Sequence, residues 1–169
     1  MRPFGRSTTS GSMTDEDRLR LAAIDEEDLA VLSAYVQDAV LKVGDMVYLP
    51  KERRFAMGMN RFIWEKTGEK AGDGRRQAYE RRRAALTFDR VNAVRTTGFD
   101  RRKTDAVLEL RTVAFAGTDA PAGRITLVFA GGGGVEIDVE VIEARLADLG
   151  SAWATRARPQ HDVAEGETK

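Results

Sequence analysis

Three carboxylates at alternate positions are the first residues whose type and spacing could support chemistry. Glu136, Asp138 and Glu140 would share one face of a strand, about 7 Å apart along it, which is two residue rises. Oxygen-rich faces of this kind can hold calcium or magnesium. The valine and isoleucine residues between them predict a buried opposite face. We therefore interpret the carboxylates as a solvent-facing row and predict no metal site.

A catalytic nucleophile with its base is harder to assemble from this sequence. There is no cysteine, and the single histidine, His161, lies in a polar segment near the C-terminal end. Serine or threonine would need a base within hydrogen-bonding reach, and no G-x-S-x-G motif occurs. The four glycines at 131–134 precede a strand-like segment rather than a helix, so they predict a hairpin turn and not a phosphate cradle. We predict no enzyme activity and no cofactor.

The strongest remaining signal is a basic segment in the middle of the chain. Residues 75–103 hold ten arginines and lysines against three acidic residues, and the parallel N–H donors of arginine suit phosphate groups. The alternative is that the acidic helix at 26–37 packs across these residues and neutralises them, in agreement with a net charge of zero. The candidate anion-binding residues are Arg75, Arg76, Arg81, Arg82, Arg83, Arg101, Arg102 and Lys103.

One domain of ordinary size must position these residues. A chain of 169 residues with 42% hydrophobic residues has enough apolar material for a single core. We predict a flexible extension at 1–17, one domain at 18–155 and a disordered tail at 156–169. No apolar run approaches the ~20 residues of a membrane helix, the first residues lack the apolar core of a secretory signal, and cysteine is absent. These features predict a cytoplasmic protein that does not bind membranes.

Caps and periodicity predict the first elements. Asp25 suits a helix N-cap and precedes an acidic first turn, so a helix is expected at 26–37. A hairpin is expected at 39–64, with a long first strand and a second strand whose phase slips near Arg61. Three glycines and the lack of an apolar period predict a long loop at 66–83.

The second half of the chain alternates in the manner of β-strands. Apolar residues then recur at steps of four, three and four, at Ile142, Leu146, Leu149 and Trp153. This spacing predicts a closing helix near Glu140 to Leu149. The sum is an α+β fold: a seven-stranded antiparallel sheet, curled or closed into a barrel, with an N-terminal helix and a C-terminal capping helix. This is the element order of pleckstrin-homology-like domains, and a simpler helix-covered antiparallel sheet is the alternative. Strands are predicted at 84–89, 91–97, 107–115, 125–129 and 135–139.

One part of the chain is similar to a known family. The run Tyr48-Leu49-Pro50-Lys51-Glu52-Arg53-Arg54-Phe55, followed by Asn60-Arg61-Phe62 and Trp64-Glu65, resembles a family of uncharacterised, mostly alphaproteobacterial proteins that carry domain of unknown function 2948. The resemblance extends from about Arg18 to Leu149. It implies a bacterial, stand-alone domain and assigns no activity, ligand or functional residue.

These observations predict a non-enzymatic binding module or adaptor. We expect a protein partner, bound by the addition of a strand to an exposed sheet edge. The alternative is that the basic segment 75–103 binds nucleic acid or another polyanion. A net charge of zero is unlike the strongly basic domains that bind nucleic acid, so a protein partner is the preferred prediction. The sequence makes no prediction of the oligomeric state.

Overall fold

The computed structural model describes residues 18–63, 80–150 and 153–154. This part of the chain forms eleven β-strands, one α-helix and one short 3₁₀ turn. The helix is α1 (Glu26–Tyr35), and the 3₁₀ turn covers Val43–Asp45. The strands are β1 (Arg20–Ala23), β2 (Val40–Lys42), β3 (Met46–Leu49), β4 (Arg54–Phe62), β5 (Glu80–Phe88), β6 (Val91–Thr97), β7 (Val107–Asp119), β8 (Ala122–Phe129), β9 (Gly134–Val139), β10 (Ala144–Asp148) and β11 (Trp153–Ala154).

All the described strands belong to one antiparallel sheet. Its order is β1-β10-β5-β4-β2-β7-β8-β9-β6, with β3 paired to β4 and β11 paired to β5. The order begins and ends on different strands, so the sheet is open and does not close into a barrel. The predicted α+β fold is therefore correct only in part, because the described chain is largely β and has a single α-helix.

The helix begins where the sequence predicts. Asp25 is the N-cap, and its Oδ1 accepts a hydrogen bond from Asp28 N at 2.8 Å, which satisfies one of the free amides at a helix start. The helix ends at Tyr35, two residues before the predicted end, and it buries Leu29 and Leu32 in the core. No helix in the described ranges has the length and apolar character needed to cross a membrane.

The predicted C-terminal capping helix is wrong. Residues 144–148 form β10, which pairs with β5 on one side and with β1 on the other. Ala144, Leu146 and Asp148 point inward at alternate positions. Because Asp148 is charged, the inward positions do not all carry apolar residues, and the hydropathy pattern does not show the two-residue period of a strand. Leu149, the third residue of the predicted helical spacing, is 54% exposed. β1 is an additional strand that the sequence did not predict.

β4 keeps one phase along its length, contrary to the predicted slip near Arg61. Its inward face continues from Met59 to Arg61, whose side chain is fully buried. β5 begins at Glu80, inside the segment predicted as a loop. The rest of that segment falls in residues 64–79, outside the described ranges.

The remaining strands agree more closely with their predictions. The hairpin of β8 and β9 around the four glycines is confirmed, with Ile125 opposite Ile137. The predicted long strand at 39–50 is instead divided into β2, the 3₁₀ turn and β3, with Gly44 inside the turn. The inward faces of the strands and the buried face of α1 form one hydrophobic cluster.

Candidate functional site

A groove of 450 Å³ lies between β3 and β6, and we call it the β3–β6 groove. Val47 and Phe55 line it on the side of β3 and β4, whereas Val94 and Thr96 line it on the side of β6. Phe99, in the loop between β6 and β7, completes the apolar lining. Grooves with apolar walls and a few polar groups are common binding sites in proteins.

Both strands that border the groove are sheet edges. Within the described residues, β3 pairs only with β4, and β6 pairs only with β9. In an antiparallel pair, alternate residues direct their N–H and C=O groups away from the partner strand. Tyr48 Oη on β3 donates to Asn92 O on β6 at 3.5 Å. Apart from this contact, β3 and β6 each present outward backbone donors and acceptors that no described strand takes up.

Backbone hydrogen bonds fix the groove at its two ends. At one end, the turn between β3 and β4 meets the start of β6, where Val91 N donates to Arg53 O at 2.9 Å. At the other end, the 3₁₀ turn meets the loop between β6 and β7, where Gly44 N donates to Thr104 O at 2.9 Å. The distance between these contacts limits the length of what the groove can hold.

The loop between β6 and β7 is held against the turn between β8 and β9. Gly98 has a φ of +80°, and a Cβ built there would lie 2.6 Å from Gly133 Cα, so only glycine fits at this position. The Phe99 ring makes an edge-to-face contact with Phe129, with ring centroids 5.9 Å apart. These contacts place the next residues, Arg101 and Arg102, on the wall of the groove.

Arg101 and Arg102 are exposed, as is the neighbouring Lys103. Arg102 Nε lies 3.1 Å from Asp100 Oδ1, and hydrogen bonds from Arg102 lower the pKa of the Asp100 carboxyl. The side chains of Arg101 and Lys103 form no ion pair within the described part of the chain. This loop therefore presents cationic groups at the groove.

The arginines of β5 have a different role. Arg82 is 3% exposed and Arg61, beside it on β4, is fully buried. Arg61 Nε and Arg82 Nη1 lie 2.9 and 3.1 Å from the two carboxylate oxygens of Asp148. We call this group the Arg61–Asp148–Arg82 cluster. Such an arrangement places charge inside the core, where it is stable only with close partners.

Two opposing effects act on the Asp148 carboxyl. Burial, the largest single effect, would raise the pKa of Asp148, but hydrogen bonds from Arg61 and from the amide of Leu19 together lower it below the usual value. The Leu19 amide donates to Asp148 Oδ2 at 2.8 Å. The carboxylate thus joins three separate segments of the chain.

The other predicted anion-binding residues of β5 also contact protein groups. The guanidinium of Arg81 lies 4.0 Å from the centre of the Phe62 ring, and burial lowers the pKa of Arg81. Arg83 Nη1 donates to Asn60 Oδ1 at 3.2 Å, and Arg83 lies 3.6 Å from Asp45 in the 3₁₀ turn. Arg75 and Arg76 lie outside the described residues.

The predicted basic face is therefore divided into two parts. Arg81, Arg82 and Arg83 contact groups on neighbouring strands, whereas 101–103 are exposed on a loop. The acidic helix packs mainly against β1 and β7, so the carboxylates that meet the arginines of β5 come from β10 and the 3₁₀ turn. That this segment binds an anion stays a prediction.

The two carboxylates on β9, Glu136 and Asp138, lie close to arginines. Arg95 lies 3.2 Å from Glu136, and Arg124 Nε donates to Asp138 Oδ1 at 2.9 Å. The hydrogen bond from Arg124 is the main cause that lowers the pKa of Asp138. Over residues 18–63 and 80–150, no group of three or more histidine, aspartate or glutamate side chains is arranged to hold a metal ion.

A second concavity, of 590 Å³, adjoins the turn between β3 and β4. Its lining is highly charged, and the charges pair with one another. Asp89, for example, accepts hydrogen bonds from Arg54 Nε at 2.7 Å and from Arg145 Nη2 at 3.0 Å. Because these groups form a surface ion-pair network, we take the β3–β6 groove as the stronger candidate site.

The sequence did not identify the groove. Its walls come from the 3₁₀ turn, β3, β4, β6 and a loop, and no local pattern shows which strands become edges. One signal was available: Phe99 is an aromatic residue inside a charged turn at 98–104, a place where apolar residues are uncommon unless they are anchored. Its contact with Phe129 explains its presence.

Comparison with known proteins gave one match. No curated protein and no solved structure matches the chain. A family model described as "Protein of unknown function (DUF2948)" matches residues 19–161, which include the run Tyr48–Phe55 that carries the resemblance in the sequence. Because the match covers most of the chain, the protein belongs to the DUF2948 family.

Proposed function

We propose that this protein is a non-enzymatic binding module that takes up an extended segment of a protein partner in the β3–β6 groove. The observation that carries the proposal is the position of the groove, which has an apolar lining and lies between two strands that each pair on one side only among the described strands. An added strand would hydrogen bond to one of these edges, which is a common mode of peptide recognition.

The dimensions of the edges limit the segment. β3 has four residues, which corresponds to about 13 Å at roughly 3.3 Å per residue. A paired segment of about four to six residues fits this edge, with alternate side chains directed into the groove. Val47, which is 45% exposed, offers such a segment an apolar contact.

The chemistry of the lining supports binding rather than catalysis. Among the described residues, the charged side chains that line the groove are those of Arg101 and Arg102, and this lining includes no carboxylate and no histidine. Arginine stays protonated at any physiological pH, so it binds anions but does not exchange protons as a general acid or base.

A displayed library of random ten-residue peptides provides a direct test. We expect wild-type protein to enrich peptides that protect the amides of 46–49 or 93–97 from hydrogen exchange. Two methylated versions of an enriched peptide extend this test, one with N-methyl groups at the odd positions and one with them at the even positions. Only one of these sets of amides faces the edge strand, so one version should lose binding and the other should bind as the unmodified peptide does.

Two valine variants make a matched pair for this test. Val47→Lys places a charge in the groove, and we expect it to weaken binding of the enriched peptides by at least about tenfold. Val107→Lys changes an equally apolar residue, 63% exposed on β7, and should bind as wild type does. Equal binding by the two variants, or a library that yields no enriched peptide, would count against the proposal.

A further inference from the structure

We propose, resting on the function above, that the segment taken up by the groove carries a carboxylate that binds between Arg101 and Arg102. The partner is thus an acidic extended peptide in which apolar side chains lie along the groove and an aspartate or glutamate lies at the end near the loop between β6 and β7.

In the part of the groove formed by described residues, charge is confined to one place. Arg101 and Arg102 are the charged members of its lining, and both belong to the same loop. The remaining lining residues, such as Val47, Val94 and Thr96, carry no charge. A ligand that complements this surface is neutral along most of its length and negative at one end.

The two guanidinium groups project from a loop that is held at both sides. On one side, Gly98 and Phe99 hold the loop against β8, β9 and the turn between them. On the other side, Thr104 O accepts a hydrogen bond from Gly44 N of the 3₁₀ turn. An anion that binds here would not need to order the loop, which reduces the entropic cost of binding. Arg102 already contacts Asp100, with Nε 3.1 Å from Oδ1, whereas Arg101 forms no ion pair with any described residue. Arg101 can therefore meet a carboxylate without breaking an existing pair.

A peptide fits this arrangement better than a nucleic acid does. Single-stranded nucleic acid carries a phosphate on every nucleotide and is bound by grooves with positive charge along their whole length. As lined by the described residues, the β3–β6 groove is cationic at one end only. Arg82 and Arg83 of β5 instead contact Asp148, Asn60 and Asp45. Guanidinium groups bind a single carboxylate with good geometry.

The probes are the peptides enriched from the random library, together with versions in which each aspartate or glutamate is replaced by asparagine or glutamine. We expect the enriched set to share an acidic residue near one end. Its replacement by the amide should weaken binding to wild-type protein about tenfold at low salt, and the difference should narrow in 0.5 M NaCl because the site is exposed.

The variant Arg101→Ala/Arg102→Ala should bind the acidic and amide peptides equally. Arg111→Ala is the matched control, since Arg111 is an exposed arginine on β7 outside the groove, and it should keep the tenfold preference. The charge reversal Arg101→Glu/Arg102→Glu should invert the preference in favour of peptides with lysine at the same position.

The possible failures can be told apart. If enriched peptides bind at the groove but tolerate the amide, the acidic partner is excluded while the binding module remains. If no peptide is enriched, and a fluorescent oligothymidylate binds in a way that the double alanine variant abolishes, the groove is a nucleic-acid site and both proposals are wrong. Strong protection of 46–49 and 93–97 before any peptide is added would show that this chain or a second copy already fills the groove, and both proposals would then be wrong.

Discussion

Arg82 and Arg101 belong to the same basic segment of the sequence but lie in opposite environments. Arg82 is 3% exposed and contacts a carboxylate inside the core, whereas Arg101 is exposed at a groove. The difference follows from the element that carries each residue. Arg82 shares the inward face of β5 with Ala84 and Leu86, while Arg101 lies on a loop. A count of charges along the chain therefore does not reveal which charges are available to a ligand.

The largest expected effect comes from the shared carboxylate of the buried region. Asp148→Ala leaves two buried guanidinium groups without the carboxylate that both contact, and we expect it to lower the free energy of unfolding by about 3–5 kcal/mol. Urea denaturation measures this. Asp100→Ala, which removes the exposed pair with Arg102 and the hydrogen bond from Arg102 N, is the control and should lower the midpoint much less. If the two substitutions lowered the free energy of unfolding equally, the buried and exposed arginines would not differ in their contribution to stability.

The same carboxylate should make stability depend on pH. The pKa of Asp148 is lower in the folded protein than in the unfolded chain, where it is about 3.9. Its contribution is therefore complete above the unfolded pKa and is lost as the pH falls through the folded pKa. Between pH 5 and pH 2, the free energy of unfolding of wild type should fall more steeply than that of Asp148→Asn, whose amide does not titrate. Parallel curves for the two proteins would contradict this assignment.

Replacement of either of two glycines with positive φ should have an intermediate effect on the free energy of unfolding. Gly98→Ala adds a Cβ that would lie 2.6 Å from Gly133 Cα, whereas nothing lies within 4 Å of a Cβ at Gly131. Both substitutions strain the backbone by about 1 kcal/mol, and the clash should raise the cost at Gly98 to about 2–3 kcal/mol. Thermal unfolding measures the difference. If Gly131→Ala proves the more harmful change, the loop is not held by the close contact described here.

The smallest effect on stability is expected at the groove. Arg101→Ala/Arg102→Ala should change the free energy of unfolding by no more than about 0.5 kcal/mol, because these side chains are exposed and outside the core. Arg82→Ala, in the buried region, should cost several times more. Circular dichroism during urea denaturation distinguishes them. A large loss of stability in the double variant would assign the loop arginines a structural role.

Much of the fold could be predicted where burial and hydrophobicity coincide. The hairpin of β8 and β9 alternates apolar and polar residues on its two faces, and Asp25 marks the start of α1 clearly, so both predictions are confirmed. The errors at β4 and β10 share one cause. Arg61 and Asp148 are charged residues at buried positions. Each interrupts the alternation of apolar and polar residues by which hydropathy identifies a strand.

The candidate site was predictable only in part. Arg101 and Arg102 were singled out because they are arginines in a basic segment, and the structure places them on the groove. The groove itself depends on β3 and β6 becoming edges of the sheet. Strand order arises from contacts between residues far apart in sequence, such as Val94 with Ile137, and no local spacing encodes them.

The position of Asp148 on β10 has a consequence for synthesis of the chain. β4 and β5 leave the ribosome before β10 does, and the interval is on the order of seconds at ordinary elongation rates. During that time, one edge of β5 has no strand from β10 beside it, and such edges favour aggregation. If β4 and β5 pair before β10 is made, Arg61 and Arg82 lie on the apolar face of that pair. We expect their positive charge to oppose association with a second nascent chain. Asp148, which contacts both guanidinium groups in the folded protein, would then neutralise part of this charge within the core.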